Sequence, residues 1–260
     1  MAILLGPKLD HTHVPKRIVS LVPSLTETLI DLGLEKRIVG RTRFCIHPSE
    51  AVRNIDRIGG TKDFSVERIL KLKPDLIIGS QEENHKDGIE ALQAQLPVWL
   101  STIDSVDTAL EHIGHLGKVT GTAEEADLLT KAIDKAWKGI PRSPSSKRVA
   151  YFIWRNPWMI AGKGTYIDSV LERLGWTNVT EQVRYPEIRM QELAKDPPEL
   201  FLFSSEPFPF KKEHWSAWRA AFPKAHFRLV NGEDFSWYGS RMLEAAERLS
   251  AWARDAFDEE

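Results

Sequence analysis

The stretch "SVERILKLKPDLIIGSQE" (65–82) decides the fold, because the chain contains a second version of it. The first part, 65–72, reads as a helix; after Pro74, "DLIIGS" reads as a buried strand. "RMQELAKDPPELFLFSSE" (189–206) lies on it without gaps: Pro74 meets Pro198, Asp75 meets Glu199, and the strand cores coincide. Both copies close on Ser-x-Glu, as Ser80…Glu82 and Ser204…Glu206. "ETLIDLG" (27–33) matches "SVLERLG" (169–175) in the same way. Two copies are too few for a repeat array, so they predict two similar lobes.

Working outward, "RIVSLVPSLTETLIDLG" (17–33) is a β-rich run, a proline and a helix. Ser24 and Glu27 have capping-box spacing, Leu25, Leu29, Ile30 and Leu32 form one helical stripe, and Gly33 stops it. "RIVG" (37–40) and "PVWLST" (97–102) read as strands, with the helix "GIEALQAQ" before the second. This β/α alternation predicts a parallel sheet layered by helices. From Ser105 to about Ile140 the apolar spacing is helical throughout, with Gly121-Thr122 as a kink point. "PRSPSS" (141–146) breaks the chain, and "KRVAYFIW" restarts the β/α pattern at Lys147. The expected organisation is an N-terminal α/β lobe (1–104), a connecting segment (105–146) and a C-terminal α/β lobe (147–260). The connector holds a helix of roughly 20 residues or more, about 30 Å long.

The bulk composition excludes several function classes. A formal net charge of -2 gives no long-range attraction for nucleic acid or an anionic membrane. A single cysteine, Cys45, leaves no internal disulfide and no all-cysteine zinc site. No stretch approaches the roughly 20 apolar residues of a spanning helix. The apolar run Ala2–Leu5 is too short for a signal-peptide core, so the chain as written reads as cytoplasmic; a trimmed export signal would make it periplasmic or surface-held.

Taken together, "RIVSLVPSLTETLIDLG", "IGGTKDFSVERILKLKPDLIIG", "HLGKVTGTAEEADLL", "IAGKGTYIDSVLERLGWTNV" and "PPELFLF" resemble the class III, helical-backbone periplasmic solute-binding proteins. That family binds cobalamin, haem, siderophores and metal ions for ABC importers, and the resemblance runs from about residue 17 to 255. It implies two Rossmann-like α/β lobes with parallel sheets, joined by a long backbone helix, with a ligand held in the cleft between them. It implies binding and delivery rather than catalysis, no cofactor, and a monomer that docks on an importer membrane subunit. The docking glutamates of the cobalamin branch fall on Glu67 and, in the second lobe, on Gln191 with Glu192 beside it. Where that branch has a tryptophan ahead of the first glutamate helix, this chain has Thr61.

The candidate ligand residues sit at strand ends. "RTRFCIHPSE" (41–50) offers Phe44 and His47 at the expected cleft rim. Cys45 and His47 read either as a buried thiol and a loop imidazole, or as a metal-ligating or catalytic pair. In "SQEENHKDG" (80–88), Glu82, Glu83, Asn84 and His85 suit a cation or a ligand amine, or else form a solvated loop with a helix start. Glu206 occupies the matching position of the second lobe, and two carboxylates facing one cleft favour a cationic or metal-bearing ligand. "FIWRNPWMIAGKGTY" (152–166) sets Trp154, Arg155 and Trp158 around a proline, which suits a planar or amphipathic ligand. "SSEPFPF" (204–210) adds Phe208 on a rigid path. In "GEDFSWYGSR" (232–241), Trp237, Tyr238 and Arg241 read equally as ligand walls or as lobe packing, and Arg155 and Arg241 are the expected partners of the two glutamates. Ser24 reads as a helix cap or, through the helix-end amides, a ligand contact; His11 and His13 read as tail. The main reading is a solute-binding protein for a cobalamin-like or iron-chelate-like ligand, used in ABC-type import or intracellular handling. The alternative is a cytoplasmic enzyme or metal-handling protein on the same fold, working through Cys45, His47, Glu82 and Glu206.

Overall fold

The computed structural model describes residues 3–6, 14–143 and 146–256, so His11 and His13 lie outside it. The chain divides into two compact units. The first takes the chain up to Ile103, then Asp107–Asp134 and Tyr238–Arg241; the second takes Asp104–Val106, Lys135–Trp237 and the chain from Met242 onward.

Unit 1 holds strands β1 (Ile3–Leu5), β2 (Ile18–Ser20), β3 (Ile38–Arg41), β4 (Asp56–Arg57), β5 (Leu76–Ser80) and β6 (Val98–Ser101) in the order β1-β6-β5-β2-β3-β4. All pairs are parallel except β1 with β6. Helices α1 (Pro23–Asp31), α2 (Ser49–Val52), α3 (Val66–Lys71) and α4 (Lys86–Gln93) connect the strands. β5 is buried along its whole length, as an apolar interior strand with both faces covered must be. Its core is aliphatic: Val19, Leu21, Ile58, Ile69, Ile77, Ile89, Leu92, Val98 and Leu100. The short apolar run near the N-terminus is β1, an edge strand whose register pairs Leu4 with Trp99.

The strandless stretch is two helices rather than one long one: α5 (Val106–Thr120) and α6 (Ala123–Lys138), of 15 and 16 residues. Gly121 separates them at φ +72, which is outside the helical region and ends α5 outright instead of kinking it.

Unit 2 holds β7 (Lys147–Trp154), β8 (Met159–Ile160), β9 (Trp176–Asn178), β10 (Leu200–Ser204) and β11 (His226–Val230), in the order β11-β10-β7-β8 with β9 also on β7. Its helices are α7 (Tyr166–Arg173), α8 (Met190–Leu193), α9 (Ser216–Ala221), α10 (Gly232–Ser236) and α11 (Met242–Asp255). The core here is aromatic. Phe201 stacks on Phe227 at 4.7 Å and Phe152 on Phe203 at 4.8 Å, with Trp215 and Trp218 closing the layer.

The two-copy pattern in the sequence is a physical repeat. Asp75 accepts the backbone N–H of Lys16 and Arg17 at 2.8 and 2.9 Å, where the chain enters β2. Its counterpart Glu199 accepts the N–H of Arg148 at 3.2 Å, at the start of β7, and the Lys147 ammonium at 2.7 Å. α1 and α7 each end two residues before a left-handed glycine, Gly33 at φ +78 and Gly175 at φ +80.

Candidate functional site

In both units the predicted glutamate sits two residues beyond the last residue of a buried strand, held by the same turn. Ser80 Oγ accepts the N–H of Glu82 at 3.2 Å, and Ser204 Oγ accepts the N–H of Glu206 at 3.3 Å. These positions lie at the carboxyl edge of parallel sheets, where open α/β folds gather ligands.

In unit 2, Tyr151 donates to Ser204 Oγ at 3.1 Å from inside the core. Burial and the nearby Glu206 and Asp234 push that phenol well above its usual range. Glu206 Oε1 accepts two hydrogen bonds, from Ser236 Oγ at 2.9 Å and from the Trp237 indole N–H at 2.8 Å. Asn231 caps α10, and Ser236 is its last residue, with its hydroxyl also 2.9 Å from Gly232 O, so one proton is shared between that carbonyl and the carboxylate. Trp154, at the end of β7, is 40% exposed and stands edge-on to Phe208 at 5.8 Å. Trp158 turns the other way: it stacks on Phe210 at 5.8 Å and meets Phe152 and Trp218 edge-on, so its ring belongs mostly to the core. The Arg155 guanidinium lies over the Trp158 ring at 5.7 Å.

In unit 1, Asn84 is a structural staple. Its Oδ1 accepts the N–H of Ser80 at 2.8 Å, and its Nδ2 donates to Leu21 O at 3.3 Å and Thr61 O at 2.9 Å. Its amide therefore joins three strand-end loops. Glu83 accepts the hydroxyl of buried Tyr238 at 2.7 Å; burial first, then the Glu83 charge, raises that phenol well above its usual range. Arg241 binds Glu27 with two hydrogen bonds of 2.7 and 2.8 Å. Burial raises the Glu27 carboxyl above the ordinary value, and Arg241 opposes that rise.

This corrects the capping-box reading at the start of α1. Val22 is the cap residue and Pro23 the first helical residue, which leaves Ser24 inside the helix with no side-chain cap bond. Pro suits that first position because its missing N–H would have no helical partner there. Thr28 accepts the N–H of Ser240 at 3.0 Å, so α1 receives the 238–241 segment along one face. Glu27, Thr28 and Ser236 carry no sequence signal for these roles, because each partner comes from a distant part of the chain.

Cys45 is fully buried in a turn, not on an extended strand. Its sulfur accepts from Thr26 Oγ1 at 3.1 Å and lies 3.1 Å from Thr42 Oγ1, and burial pushes the thiol up. Among the described residues, no group of three or more His, Cys, Asp or Glu side chains is placed to hold a metal ion. Phe44 is 47% exposed under the Arg43 guanidinium, 4.8 Å away, and His47 is half-buried. Glu67 and Glu192 are exposed in first helical turns, each paired locally: Glu67 with Lys71 at 2.6 Å, Glu192 with Arg189 at 2.9 Å.

No described helix is long and apolar enough to cross a membrane. The chain is similar to the vitamin B12-binding protein of Vibrio cholerae, 24% identical over 252 residues that cover 93% of this chain and 90% of that one. It is also similar to an uncharacterized ABC transporter substrate-binding lipoprotein of Bacillus subtilis, 26% identical over 250 residues, 91% of this chain and 79% of that one. It shares its fold with the periplasmic heme-binding protein from Roseiflexus sp. RS-1, with a TM-score of 0.78 at 20% identity over 94% of this chain and 99% of that one. These are solute-binding proteins, not enzymes. The periplasmic binding protein family matches residues 18–222, most of the chain, and the chain belongs to that family.

Proposed function

We propose that the chain captures a metal-bearing macrocycle or chelate, of the cobalamin, haem or iron-chelate kind, and delivers it to an ABC importer. The observation that carries this reading is the pairing of an exposed aromatic surface with a held carboxylate. Trp154 stands on Phe208 at the end of β7, and Glu206 at the end of β10 is oriented by Trp237 and Ser236. A flat, largely apolar ligand gains most of its affinity from such faces, because buried apolar area outweighs exposed ion pairs of roughly 0–1 kcal/mol. In unit 1, Phe44, His47, Glu82 and Glu83 are the proposed ligand residues. Asn84, Tyr238 and Arg241 are assigned to hold the surrounding loops. Arg155 and Trp158 support the aromatic face.

The relatives named as periplasmic, or as lipoproteins, favour a place outside the cytoplasmic membrane over a cytoplasmic one. Glu67 and Glu192, on exposed first turns, are the proposed importer contacts, each exchanging its local Lys71 or Arg189 partner for one on the membrane subunit.

Absorbance titration with cyanocobalamin, haemin and a ferric siderophore tests the ligand reading. One of the three should saturate at one ligand per chain. Trp154→Ala should weaken it more than Glu206→Gln, and the order should reverse if a carboxylate ligates the metal. Absence of binding by all three, or unchanged binding by both variants, would reject the assignment.

A further inference from the structure

β6 and α5 of unit 1 are tied together by two imidazoles that both accept hydrogen bonds. His112 is 2% exposed. Its Nε2 accepts the backbone N–H of Thr102 at 3.1 Å, which places its own proton on Nδ1, facing Thr108 O at 2.6 Å. One turn later, His115 Nδ1 accepts the indole N–H of fully buried Trp99 at 2.8 Å, with the rings stacked at 6.2 Å. Trp99 also meets His112 edge-on at 5.9 Å. A peptide N–H and an indole N–H are fixed in the plane of their groups and cannot turn aside. A protonated imidazole has two donors and no acceptor, so a proton on either ring sets N–H against N–H.

What these bonds hold is the end of β6. Ser101 O accepts the N–H of Gln81 at 3.0 Å, and Ser101 Oγ donates to Gly79 O at 3.3 Å. The Ser80 and Ser101 side chains also act on the Tyr238 phenol, lowering it against the rise that burial and Glu83 cause. We propose that His112 and His115 form an acid-released latch, whose protonation frees the end of β6 and loosens the seat of Tyr238 and of the Glu82–Glu83 loop.

Among the described residues, the charged groups acting on the rings are Glu111 and Lys118, both on α5, and the rings themselves. β6 and the residue after it face them with Trp99 and Thr102, which carry no charge. Burial lowers both imidazoles; the Thr108 carbonyl and Glu111 oppose this at His112, and Lys118 adds to it at His115. His115 is exposed on its residue surface, so solvent reaches the pair there first. The sign follows from linkage. Both rings take up protons less readily in the fold than in the unfolded chain, so their contribution to stability is full above about pH 6.5 and is lost as the pH drops below it.

The latch does not depend on which ligand binds, and its test reads the rings directly. In the full chain, NMR of the imidazole Cε1–H groups from about pH 8 to about pH 4.5 should show both rings titrating below the free value of about 6.5. The Trp99 indole N–H signal should shift with His115. Titration of either ring at or above the free value, or a Trp99 signal that does not move, would overturn the proposal. Independently, the urea midpoint of the parent should fall between about pH 7.5 and about pH 5. His115→Asn and His112→Gln keep an acceptor that does not titrate, so each should lose no more than about half as much as the parent. An equal fall in the parent and both variants would also overturn it.

Discussion

Arg241 closes on Glu27 across 214 residues of chain, its Nη2 and Nε lying 2.7 and 2.8 Å from the two carboxylate oxygens. The two side chains are only 10% and 13% exposed, so the pair is largely out of water. Arg241→Met should therefore cost about 3 kcal/mol, because it strands a desolvated carboxylate. Combining it with Glu27→Gln should cost clearly less than the sum of the two single changes. Urea unfolding of the four proteins measures this coupling.

The pH dependence of the same pair has a definite sign. Burial raises the folded Glu27 carboxyl, so the folded state binds its proton more readily than the unfolded state. The contribution of this group is present at low pH and is lost as the pH rises through the raised value. Relative to Glu27→Gln, the parent should gain stability on going from about pH 7 to about pH 4.5. Urea midpoints of the two proteins at both pH values would show it.

Gly239 holds the 238–241 segment against α1 at φ +100, and a Cβ there would fall on Thr28 Oγ1. Gly239→Ala should destabilise the chain by more than about 1 kcal/mol, through both the backbone and the overlap. Adding Thr28→Ala removes only the overlap, so thermal unfolding of the double variant should recover part of the loss and not all of it.

Asn84 joins three loops with one amide. Asn84→Ala should cost about 2 kcal/mol by leaving buried peptide groups unpaired. Asn84→Asp should be worse at neutral pH, since it turns a carboxylate oxygen toward the carbonyls of Leu21 and Thr61. Denaturant midpoints of the two variants give the order.

Cys45 should resist an aromatic disulfide reagent in the native protein and react at once in denaturant, because its thiol is fully buried and pushed up by that burial. Cys45→Ala should leave the metal content of the purified protein unchanged. Rapid native labelling, or a stoichiometric metal lost in the variant, would restore the reading in which Cys45 acts with His47.

Sequence alone determined the elements whose information is local. Periodicity marked β2, α1, α3, β5, α4 and β6, and the gapless match of 65–82 with 189–206 pointed to two similar α/β units. The matched residues turn out to do matched work: Asp75 and Glu199 at strand starts, Ser80 and Ser204 at strand ends, Gly33 and Gly175 at helix stops. Such features depend on neighbours a few residues away, so spacing is enough to read them.

The partners of those residues were decided only by the tertiary structure. Ser24 and Glu27 have the spacing of a capping box, yet Pro23 starts the helix and Glu27 is taken by an arginine 214 residues later. The tryptophans in the aromatic segments look alike in sequence, but Trp158 packs into the core while Trp154 stands exposed. The residues Tyr238–Arg241 belong to unit 1 although unit 2 flanks them on both sides. Residue spacing describes a strand or a helix over a few ångströms of backbone. Which carboxylate meets which guanidinium, and which ring is buried, depends on where distant segments return, and that is fixed only when the whole core packs.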